Sequence, residues 1–77
     1  MRLVLVTWRD AWLDTDEPSS GYREDYMVST VGWLVREDEH IVSVASELLP
    51  VGEGVRAVTH IPATSVVRTV DLHPAWT

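Results

Sequence analysis

Residues 55–72 read Val55-Arg56-Ala57-Val58-Thr59-His60-Ile61, then Pro62-Ala63-Thr64-Ser65, then Val66-Val67-Arg68-Thr69-Val70-Asp71-Leu72. The first run sets Val55, Ala57, Thr59 and Ile61 against Arg56, Val58 and His60, the period of two that marks a strand. The second run does the same with Val66, Val70 and Leu72. The link between them is short and begins with Pro. A tight helical turn fits there, swinging the chain from one edge of a curled sheet to the other.

The rest of the chain extends this pattern. Thirteen Val residues dominate it, and β-branched side chains pack well on a pleated surface. A first strand is expected over about 2–9, with Val4, Val6 and Trp8 on one face and Leu3 and Leu5 on the other. A second is expected over about 27–36, with Trp33 on the face of Val31 and Val35, and a third over about 41–48. Between these two, Glu37-Asp38-Glu39-His40 is a polar tip suited to a hairpin. Trp8 and Trp33 both read as core aromatics. No segment keeps helical periodicity over three turns; Ser46–Pro50 is the nearest, and Pro50 ends it. The expected fold is all-β: a small five-stranded Sm-like barrel over 1–77, with a short helical turn between strands four and five. It has a long polar loop at 13–26 and a tail at 73–77 that frays unless Trp76 docks on a surface.

Composition narrows the function classes. Seventy-seven residues make one domain near the lower size limit for independent folding. The chain lacks Cys, so neither disulfides nor a Cys-based zinc site is possible. The longest apolar run, Leu3-Val4-Leu5-Val6, is far short of a membrane span. The formal net charge of −6 argues against general nucleic-acid binding. All six basic residues are Arg, and Lys, Phe, Asn and Gln are absent, a bias that points to a GC-rich genome. A homo-oligomer in a reducing cytoplasm is the expected setting.

The chemistry-bearing residues form no catalytic or metal pattern. Asp14, Asp16 and Glu17 begin like a calcium loop, but Pro18 and Ser19 break the ligand spacing. His40, His60 and His73 fall in separate elements. There is no nucleophile elbow, and no phosphate loop is possible without Lys. The expected protein is therefore non-enzymatic, with no cofactor and no metal. The aromatic and cationic residues beside the long loop form the one candidate ligand site: Arg9, Trp12, Tyr22, Arg23 and Tyr26, with Arg36 joining if the register brings it there. An aromatic face beside a guanidinium can stack a base and pair a phosphate; the alternative, which the sequence favours somewhat, is that these loop aromatics only pack over the barrel mouth.

Val6-Thr7-Trp8-Arg9-Asp10-Ala11, Ser29-Thr30-Val31-Gly32-Trp33-Leu34-Val35 and Ile61-Pro62 leading into Val66-Val67 resemble a group of short proteins encoded by tailed phages and prophages. The similarity spans most of the chain except 13–26 and the tail. It implies a stand-alone Sm-like barrel of phage origin acting in the host cytoplasm, and it brings no catalytic residues. By analogy of class, the expected role is an anti-defence sponge, an oligomer that sequesters a nucleotide immune signal between subunits. The alternative is a protein-binding adaptor or inhibitor whose acidic loop 13–26 meets a basic host protein. A third is an Sm-like RNA- or DNA-binding protein, which the charge disfavours.

Overall fold

Alternation and turn chemistry produce five strands in the computed structural model, which describes residues 1–10 and 27–73. They are β1 (Leu3–Arg9), β2 (Met27–Glu37), β3 (Ile41–Leu48), β4 (Val55–Pro62) and β5 (Val66–Asp71). Short 3-10 turns occupy Pro50–Gly52 and Ala63–Ser65. The strands form one antiparallel sheet in the order β4-β3-β2-β1-β5. The β2–β3 tip closes around Asp38, whose carboxylate accepts from the backbone N–H of His40 (2.8 Å) and Ile41 (2.9 Å) and from Arg36 Nε (2.7 Å). This is an Asx-type turn, in which a side chain replaces a backbone acceptor.

With no second layer among the described residues, the sheet buries one of its faces by curling. Val4 and Val6 of β1, Val42 and Val44 of β3 and Ile61 of β4 meet in one buried cluster, with Trp8, Leu34 and Val66 packed against it. Burying each such aliphatic side chain contributes roughly 1.5–3 kcal/mol. Trp8 adds a hydrogen bond, Nε1 to Thr30 Oγ1 at 2.9 Å, which satisfies its one polar atom. Gly32, opposite Val4, lets β2 approach β3 closely on this face.

The expected all-β fold with five antiparallel strands is what forms; among the described residues the sheet curls but does not close into a barrel. Four antiparallel pairings along five strands leave β4 and β5 running in the same direction. Pairing them would require a parallel ladder, and a parallel crossover takes a dozen or more residues. Here the link is only Ala63–Ser65. Over that distance the chain reaches about 14 Å at most, so the end of β4 and the start of β5 meet at a corner, and among the described residues neither edge has a further strand beside it.

Two further expectations change. Trp33 shares a face with Val31 and Val35, but that face is opposite the core cluster; Trp33 is only half-buried, and Val31 is 51% exposed. In β5 a register shift between Thr7 and Trp8 leaves Val67 without a β1 partner. It sets Val66 on the core face and Val70 on the outer one, splitting residues that simple alternation would group.

Candidate functional site

Register arranges the outer face of the sheet in rows. Residues directly opposite in an antiparallel pair share a face, and the odd residues of β1 all point away from the core cluster. Thr7 lies between Arg68 of β5 and Ser29 of β2, and Leu5 between Val70 and Val31. Leu3 lies opposite Trp33, which continues to Ala45 and Val58. Arg9, opposite Met27, completes the cationic end.

Arg9 and Arg68 therefore stand close together on this face, Arg9 two residues along β1 from the Thr7 that pairs with Arg68, with the β5 bulge between. Both are exposed. Beside them Thr7 Oγ1 and Ser29 Oγ lie 3.5 Å apart. No described carboxylate forms an ion pair with either guanidinium, whereas Arg2 pairs with Asp71 and Glu37, Arg36 with Asp38, and Arg56 with Glu47. Two cations and two hydroxyls on one face, in a chain of net charge −6, suit an anion. The adjoining Val70–Leu5–Val31 row offers an apolar surface, with Val70 39% exposed.

Of the residues expected to form a site, Arg9 takes part in this arrangement. Arg36 does not: it lies opposite Ser43, nine residues along β2 from the Met27 that faces Arg9. That is a strand path of roughly 30 Å at about 3.3 Å per residue. Trp12, Tyr22, Arg23 and Tyr26 lie outside the described residues, as do the loop carboxylates Asp14, Asp16 and Glu17. Thr7, Ser29 and Arg68 were not anticipated. Once Val4 and Val6 are known to face inward, alternation in β1 places Thr7 beside Leu5, but only the β1–β5 register brings Arg68 there.

A second polar pair lies further across the outer face. Ser43 Oγ and His60 Nδ1 are 2.7 Å apart on β3 and β4, the separation of a nucleophile and its base. Ser43 is only 2% exposed, so a substrate has no access to it, and the bond serves to satisfy a buried hydroxyl. Among the described residues, no group of three or more His, Cys, Asp or Glu is placed to hold a metal. No described helix is long and apolar enough to cross a membrane.

The chain matches no family model, no curated protein and no solved structure. The resemblance to phage-encoded small-barrel proteins therefore rests on the sequence blocks quoted above.

Proposed function

We propose that this chain is a non-enzymatic, self-associating protein that holds a small nucleotide-class anion on the outer face of its sheet. In the phage setting implied by the resemblance, it acts as a sponge for a nucleotide immune signal in the host cytoplasm. The observation that supports this most directly is the Arg9–Arg68 pair flanking the Thr7 and Ser29 hydroxyls. Guanidiniums pair phosphate oxygens through charge-assisted hydrogen bonds, and the hydroxyls supply further donors. The Val70–Leu5–Val31 row beside them takes the uncharged part of the ligand. A single compact cationic row suits a small ligand better than a long nucleic acid, which needs phosphate contacts spread along its length.

A host protein as the ligand is the second reading, favoured by the exposure of Val31 and Val70 and by two sheet edges that have no further strand among the described residues. Calorimetric titration with cyclic dinucleotides, ADP-ribose derivatives and short oligonucleotides separates the two. Arg9→Ala or Arg68→Ala should weaken nucleotide binding about ten-fold or more, the loss of one charge-assisted phosphate contact, and leave the melting temperature nearly unchanged. If the assembled protein binds no member of the panel, the nucleotide reading is wrong and the adaptor reading replaces it.

A further inference from the structure

The two edges of the sheet, neither of them paired among the described residues, are not equivalent. β4 is interrupted at Ala57, whose backbone is left-handed with φ 59°; the β3–β4 ladder passes from Val58 to Arg56 without pairing it. The strand then ends in Pro62, which has no N–H to offer. A kinked edge of this kind is a poor template for an added strand. β5 has no Pro, no Lys and no positive φ, and its one bulge, at Val67, lies near its start, leaving Arg68–Asp71 in regular register with β1. Leu72 N–H donates to Leu3 O at 2.8 Å, so by alternation the N–H and C=O groups of Thr69 and Asp71 point to the open side. Val67 on this strand is 56% exposed.

We infer that two copies of this chain pair antiparallel through β5, and that Arg68 from both copies forms one shared anion seat across the two-fold axis. The inference rests on the anion reading above and adds to it where the ligand sits and what it controls. When an antiparallel pair forms about a two-fold axis normal to the sheet, a residue and its own copy fall on the same face. The two registers that overlap most of β5 put Arg68 either directly opposite its copy or one diagonal step away. Their Cα atoms are then about 5 Å or about 7–8 Å apart. Two guanidiniums at that separation repel each other, which weakens the unliganded pair. A diphosphate bridging them accepts charge-assisted hydrogen bonds from both. Linkage then requires that the anion tighten the dimer by the same factor by which the dimer tightens the anion.

Sedimentation velocity with pyrophosphate as the probe tests the coupling. Saturating pyrophosphate should tighten dimerisation about ten-fold or more, and Arg68→Ala should dimerise equally well with and without it. Because the chain has no Cys, Thr69→Cys and Ala57→Cys treated with a short bismaleimide report which edge pairs. Cross-linking of Thr69→Cys to itself is the expected result. Cross-links through Ala57→Cys, alone or to Thr69→Cys in a mixture, would overturn pairing through β5. Calorimetric binding of pyrophosphate to a protein that stays monomeric would remove the shared seat and leave the anion reading intact. A β5 dimer that binds no anion would remove both.

Discussion

Adding one methyl group at Gly32 should unfold more of this protein than its size suggests. Gly32 is buried on the core face of β2, opposite Val4. A Cβ there would collide with the carbonyl oxygen of Ala45 and sit 2.8 Å from Val44 Cγ1. The Val44 methyl can rotate away, but the carbonyl belongs to the β3 backbone, held on both sides by β2 and β4. Overpacking a tight core costs about 1–3 kcal/mol, and a collision with fixed backbone belongs near the top of that range. Loss of unfolded-state freedom on Gly→Ala returns about 0.4–1 kcal/mol. The net expectation for Gly32→Ala is a destabilisation of about 2 kcal/mol. For a domain of this size each kcal/mol moves the melting temperature by about 4–8 °C, so the variant should melt roughly 8–16 °C lower. Circular dichroism melts of both proteins at one fixed concentration measure it, because self-association makes melting concentration-dependent. A Gly32→Ala protein melting within about 3 °C of the parent, under 1 kcal/mol on the same scale, would refute the close approach of β2 to β3.

Trp8→Ala should cost about 3 kcal/mol, the low end for truncating a core aromatic, and urea titration should show Trp33→Ala costing clearly less because its face is outside the core cluster. Val51, fully exposed at φ 39° and ψ 64°, is a β-branched residue in the left-handed region; Val51→Gly should raise stability by about 1 kcal/mol, visible as a higher melting temperature. The Asp38 carboxyl is held down at about 2 by the His40 N–H, the Arg36 guanidinium and the Ile41 N–H. Its folded pKa lies below the unfolded value near 3.8, so its contribution is present above about pH 4 and lost as pH falls through about 2. Asp38→Asn should flatten stability against pH across that window, and an unchanged slope there would exclude Asp38 as its source.

Local chemistry was enough to read most of the strands. Val4, Val6 and Trp8 alternate inward as expected, the Glu37–His40 tip turns, and Ala63–Ser65 forms the short helical turn. Which face of β2 is the core was not legible. Val31, Trp33 and Val35 form the more apolar set, yet Val28, Thr30, Gly32 and Leu34 face inward because β2 needs Gly32 to pass close to β3. The bulges beside Leu34 and Val67 and the kink at Ala57 come from curling the sheet, a tertiary demand with no local pattern. The site was half legible for the same reason. Arg9 follows from β1 alone, whereas Arg68 joins it only through a pairing between distant parts of the chain.

That long-range pairing also sets the order in which the fold can assemble. β2, β3 and β4 are neighbours in both sequence and sheet, so their hairpins close short loops and can form early. β1 pairs with β2 on one side, but its other side stays open until β5, the last strand, arrives. Closing a loop of that length comes late and slows folding. A chain truncated before residue 66 would leave β1 with one bare edge next to Val4, Val6 and Trp8. Such an edge is prone to pair with other chains. Docking of β5 therefore moves the margin of the sheet one strand away from the core cluster, so that Val4, Val6 and Trp8 no longer border an unpaired backbone.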